Sequence, residues 1–202
     1  MPRRNRVLPT QEIAALPGRG LFMGNRGILH DDAGAIRAGW RHPHWICCLT
    51  AFKGRRRPIM APHAYTELFF LDEAVALAAG HRPCAECRRA DWLAFRAAWD
   101  QANGPVGGAA DLDRQLHRAR LDGRAQRRWT ALAQDLPEGT MILSGDSPAL
   151  ITRGAQHAFA MAGYGPAQAL PRGPVTVLTP APTVAALAAG YCPVLHPTAL
   201  DP

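Results

Sequence analysis

The stretch LAAGHRPCAECRRADW, residues 77–92, frames the reading of the whole chain. An apolar run ends in Ala-Gly, Pro83 forbids its continuation, and two cysteines follow, three positions apart. Upstream, Asp72 stands where a helix N-cap belongs and Gly80 just past the C-cap, which predicts a short helix over DEAVALAA. A second helix is expected to begin near Cys84 or Cys87 and run to about Trp99, with Leu93, Phe95 and Trp99 along its sides. Cys84 and Cys87 thus lie at a turn between two helices, in the C-x2-C spacing that lets two thiolates meet one ion.

Structural zinc takes four ligands, so a second pair must come from elsewhere. Cys47 and Cys48 are adjacent, and neighbouring side chains in a strand point to opposite faces. One of the two is therefore expected to face the core, leaving the fourth place to a histidine, to water or to nothing. The candidate metal ligands are Cys48, Cys84, Cys87 and His44, with zinc as the expected cofactor. The plainer alternative is a set of reduced thiols, partly buried. With five cysteines and no apolar signal core behind the basic N-terminus, a disulfide framework and export are both unexpected, and a cytoplasmic location is expected.

The rest of the chain reads as α+β: short antiparallel strands with helices packed against them. Residues 1–24 form a basic arm. RGILHDDAGAIR reads as a hairpin and WICCLTAF as a buried strand, so that residues 25–100 make one strand-and-helix unit. Residues 101–110 are a linker by composition. Residues 111–138 read as a helical pair, DLDRQLHRARL and RAQRRWTALAQ, parted near Asp122-Gly123. Residues 139–202 switch to short apolar runs (MILSG, ALITRG, HAFAM and PVTVLT) divided by Gly, Pro and Asp, which predict a second strand-rich unit. APTVAALAAG then echoes the first Ala-Gly-terminated helix.

The net charge is +7, and its placement matters more than its size. Residues 1–63 carry +8, residues 64–100 carry −2 and residues 101–202 carry +1. An excess concentrated in the first third favours a polyanionic partner, with DNA ahead of a membrane surface. No apolar run approaches the ~20 residues of a membrane span. The chain contains no phosphate-binding G-x-x-x-x-G-K-[ST] loop, no H-E-x-x-H and no His-x-Glu upstream of RPCAEC, so no nucleotide cofactor is expected. Expected DNA contacts are Arg26, Lys53, Arg55, Arg56, Arg57, Arg88 and Arg89, with GRRR at 54–57 as a phosphate clamp.

From Cys47 to Asp91, and most closely over YTELFFLDEAVALAAGHRPCAEC, the chain resembles the zinc-binding N-terminal module of the Ada DNA-methylation repair family. The resemblance covers residues 45–91. The family's first cysteine pair is separated by three residues, whereas Cys47 and Cys48 are adjacent here. The likeness implies a zinc module that binds DNA and passes an alkyl group from a phosphotriester to a cysteine of the first pair.

Three functions follow as expectations. The first is a DNA-processing protein acting on damaged or modified DNA, with hydrolysis of an N-glycosidic bond ahead of phosphodiester cleavage. Glu67, His30 and Asp31 are its candidate acid–base groups. The second is a non-catalytic, zinc-stabilised nucleic-acid-binding module or regulator. The third is a stoichiometric alkyl acceptor on Cys48.

Overall fold

The computed structural model describes residues 2–54 and 58–200. Its first sheet is built from β1 (Arg6–Val7), β2 (Ile13–Ala14), β3 (Phe22–Asn25), β4 (Ile46–Leu49), β5 (Leu68–Phe70) and β6 (Arg82–Pro83), in the order β2-β1-β5-β3-β4-β6. Most pairings are antiparallel, but β1 runs parallel to β5 and β4 parallel to β6. Residues 6–25 are thus part of the sheet rather than a separate arm. Gly24 faces Phe70 so closely that a Cβ would lie 2.3 Å from the ring, so only glycine lets these strands pack.

The helix α1 (Glu73–Ala78) follows β5 directly. Asp72 caps it, accepting the Val75 amide at 3.0 Å. Gly80 ends it at φ +83°, where a side chain would strike Arg120. After the cysteine turn comes α2 (Arg89–Asn103), which buries Trp92, Phe95, Ala98 and Trp99 along one stripe. A short connection leads to α3 (Ala109–Arg120), which buries Leu112 and Leu116.

Here the structure departs from the expected helical pair. Beyond α3 the chain makes a small hairpin, β7 (Leu121–Asp122) and β8 (Ala125–Gln126), and then β9 (Trp129–Leu132). The helix-forming composition of RAQRRWTALAQ yields to pairing: Trp129 to Leu132 align with the last strand of a second sheet. That sheet is antiparallel throughout and contains β10 (Met141–Ser144), β11 (Ser147–Thr152), β12 (Ala155–Ala160), β13 (Gly163–Ala169) and β14 (Pro174–Val177), in the order β13-β12-β11-β10-β14-β9. The helix α4 (Ala181–Ala188) then packs against α2.

The architecture is α+β, with one core shared between the sheets. Phe70, Leu71 and Val75 from the first half pack in the same cluster as Met141, Leu150 and Leu178 from the second. Among the described residues no helix is long and apolar enough to cross a membrane.

Candidate metal centre

Cys48 lies in β4, and Cys84 and Cys87 occupy the turn between β6 and α2. Pairing of Cys47 with Pro83 sets Cys48 abreast of Cys84. The three sulfur atoms lie within 4.8 Å of one another, a cluster compact enough for a single metal ion. Strand alternation separates the adjacent cysteines: Cys47 is fully buried in the core, while Cys48 faces the cluster.

The electrostatics suit a cation. Leu49 donates its amide to the Cys87 sulfur, and Glu86 donates to the Cys84 sulfur, each at 3.4 Å. A hydrogen bond from the Cys48 thiol is the main cause holding Cys84 down to about 5 and lowering Cys87 as well. Cys48 itself is pushed strongly up, because its proton is shared with those two neighbours. The thiol of Cys48 thus hydrogen-bonds both neighbouring sulfurs, and a divalent ion would replace those contacts with three ligand bonds. Three thiolates with two amide donors around them form a donor set compatible with zinc.

The cluster forms one side of a cavity of about 640 Å³. Met23, Asn25 and Phe69 supply its floor, Phe52 and Tyr65 supply aromatic surface, and Glu67 also lines it. Glu67 is 3% exposed, and its Oε2 accepts the Met60 amide at 2.7 Å.

The remaining expected site residues lie elsewhere. His44 is not part of the sulfur cluster; its Nδ1 lies 2.7 Å from Asp113 Oδ2, and Asp113 also takes both arms of Arg82. His30 is buried, with Nδ1 2.6 Å from the Thr66 hydroxyl and Nε2 3.2 Å from the Ala61 carbonyl, which ties the loop at Ala61 to the first hairpin. Asp31 organises the hairpin turn: it accepts the amides of Ala33 and Ala35 and pairs with Arg37 at 2.7 Å. Those hydrogen bonds hold its carboxyl below the usual range. The three expected acid–base groups therefore do not form one constellation, and only Glu67 shares the cavity with the thiols.

The arginines divide in the same way. Arg88 is buried, bidentate with Glu73 at 2.8 and 2.7 Å and stacked on Phe22, so it is no surface contact for DNA. Arg26 is 2% exposed and, together with Arg120, lies against the Trp45 ring. Lys53 and Arg89 are exposed; Arg55, Arg56 and Arg57 lie outside the described residues. Sequence reasoning missed the floor of the cavity, whose residues come from two strands, β3 and β5, and carry no motif. Glu73, in the first turn of α1, is fully buried, with the Tyr191 hydroxyl and the Val194 amide closing over it. Comparison with known proteins gives no match to a family model, a curated protein or a solved structure, so the Ada likeness stands on the quoted residues alone.

Proposed function

We propose that this protein binds DNA and acts on a modified base extruded into the cavity beside a zinc ion held by Cys48, Cys84 and Cys87. The observation that carries this reading is the sharing of one cavity by three clustered thiols and the buried carboxylate of Glu67. Aromatic side chains suit a flat ring taken out of a stack, and hydrolysis of its N-glycosidic bond is the favoured reaction. Held by Cys48, Cys84 and Cys87, zinc would supply a Lewis acid at that end of the cavity. Glu67 contacts the base from the other side, while Lys53, Arg89 and the basic N-terminal third supply phosphate affinity.

The test pairs elemental analysis with duplexes carrying alkylated or hydroxymethylated bases. The expected result is one zinc per chain, salt-dependent DNA binding, and abasic sites formed by the wild type but not by Glu67→Gln. Absence of zinc and of DNA binding overturns the proposal; binding without product leaves the non-catalytic module as the function. A second reading has its own observation, since Cys48 lies in the cavity wall. Alkyl transfer to that thiolate predicts an intact-mass gain of one methyl group after exposure to methylated DNA.

A further inference from the structure

The cavity beside the cysteines has a neighbour. Asn25 and Tyr65 line it and also line a second cavity of about 580 Å³, so the two abut along those side chains. Gly27, Ile28, His30, Arg41 and His42 complete the second cavity. The two differ in charge. The first gathers the carboxylates of Glu67 and Glu86 and three cysteines against one arginine, Arg19. Among the described residues no carboxylate lines the second, and Arg41 is its one arginine. An anion that reaches both cavities is therefore drawn to the second.

Arg41 is positioned by backbone. Its amide donates to the Arg26 carbonyl at 2.9 Å, and its Nε donates to the Ile28 carbonyl at 3.3 Å. Its stem passes Gly27 so closely that a Cβ there would lie 2.8 Å from the Arg41 Cβ, and Gly27 has φ +104°. Its two terminal nitrogens, Nη1 and Nη2, have no partner among the described residues. Asn25 adds a donor where the cavities meet. Its Oδ1 accepts the Gly27 amide at 2.7 Å, while its Nδ2 has no partner among the described residues. His30 offers a ligand nothing, because Thr66 and the Ala61 carbonyl engage both its ring nitrogens.

An anchored guanidinium with two open arms, beside an amide donor and no acid, matches the oxygens of a phosphate. A nucleotide joins the two chemistries: a flat ring for the aromatic cavity, and a phosphate one sugar away for its neighbour. Resting on the function proposed above, we infer that the second cavity is a phosphate subsite. There Arg41 and Asn25 take the phosphate of the nucleotide whose base enters the cavity beside the cysteines.

The phosphate could belong to a free nucleotide or to DNA, so both sources are tested on the intact protein at one fixed salt concentration. Calorimetry compares deoxyadenosine and deoxycytidine with their 3′- and 5′-monophosphates. Anisotropy compares a fully paired duplex with one carrying a single unpaired nucleotide, and with the latter after the phosphates flanking that nucleotide are made neutral methylphosphonates. The variants are Arg41→Gln and, for equal loss of charge, Arg37→Gln, an exposed arginine outside both cavities.

A monophosphate is expected to bind at least about tenfold tighter than its nucleoside, and the unpaired duplex to lose a similar factor when its flanking phosphates are neutralised. Arg41→Gln should abolish both differences, and Arg37→Gln should keep them. The wild-type comparisons decide the matter even where Arg41→Gln folds poorly: if neither difference exists, the inference is overturned. Differences that persist in Arg41→Gln overturn it as well. An effect confined to the monophosphates supports the phosphate subsite and removes DNA as its source, whereas one confined to the duplex makes DNA the source. DNA binding with neither difference overturns this inference alone and leaves the proposed function standing.

Discussion

Arg88 and Glu73 form a doubly hydrogen-bonded ion pair with both side chains shut away from solvent, immediately after Cys87 in the chain. The pair links the start of α2 to the start of α1, and the Arg88 guanidinium also touches the sulfur of Cys47 at 3.5 Å. Glu73 accepts two further hydrogen bonds, from the Tyr191 hydroxyl at 2.6 Å and the Val194 amide at 2.9 Å. The pair is therefore a hub between the cysteine turn and the C-terminal segment.

Removing either partner strands a buried charge. Arg88→Met and Glu73→Gln are each expected to destabilise the fold by about 3–5 kcal/mol. The double variant should lose less than the sum, since no lone charge remains. Urea denaturation of the three variants measures the coupling; strict additivity would show that the two side chains do not act as a pair.

The thiols should differ sharply in reactivity. In the zinc-loaded native protein, an alkylating reagent is expected to modify Cys192 alone, because it is exposed while Cys48, Cys84 and Cys87 are engaged by the metal. Chelation should open those three, with Cys47 protected until unfolding by its place in the core. Mass spectrometry with and without chelator counts the modified thiols. Cys84→Ser should lose zinc, and with it the difference between the two conditions.

The legible parts of this molecule were those settled locally. Asp72, Gly80 and Pro83 fix the limits of α1 within a dozen residues, and alternation separates Cys47 from Cys48 whatever lies around them. The illegible parts depend on partners distant in sequence. β9 is a strand because β14 pairs with it, more than forty positions later. β13 uses Gly-Pro-containing sequence that reads as a breaker, and an edge position makes the proline tolerable. His44 is drawn to Asp113, 69 residues away, rather than to the nearby cysteines. Arginine count likewise says nothing of burial: Arg26 and Arg88 carry the same charge as Arg89 but face inwards.

His81 should make stability fall in mild acid. Its Nε2 accepts from Arg26 Nε at 3.2 Å, which requires that nitrogen to be unprotonated. Burial, followed by the charges of Arg26 and Arg120, lowers its pKa well below the usual histidine value. A depressed histidine pKa means that the unfolded chain binds the proton first. Its contribution is thus fully present above the unfolded value of about 6.5 and is lost progressively as pH falls below it. Thermal unfolding between pH 7.5 and 5 should show this loss, and His81→Gln should flatten the curve in that window. An equally steep curve for the variant would assign the acid sensitivity to other groups.

Nucleic-acid binding should separate surface cations from buried ones. Lys53 and Arg89 are exposed, so Lys53→Ala and Arg89→Ala should each weaken binding across all sequences and reduce the salt slope by about 0.9 for each phosphate that is no longer neutralised. Arg26 is enclosed between Trp45, His81 and the carbonyls of Gln11 and Ala79. Arg26→Met removes a buried donor set and leaves those acceptors unsatisfied, a cost of about 1–3 kcal/mol to folding. The slope of log affinity against log salt should then match the wild type at a temperature where the variant is fully folded. Fluorescence anisotropy with a labelled duplex over a salt series supplies the slopes. A reduced slope for Arg26→Met would mean that this guanidinium reaches phosphate, which its burial against Trp45 opposes.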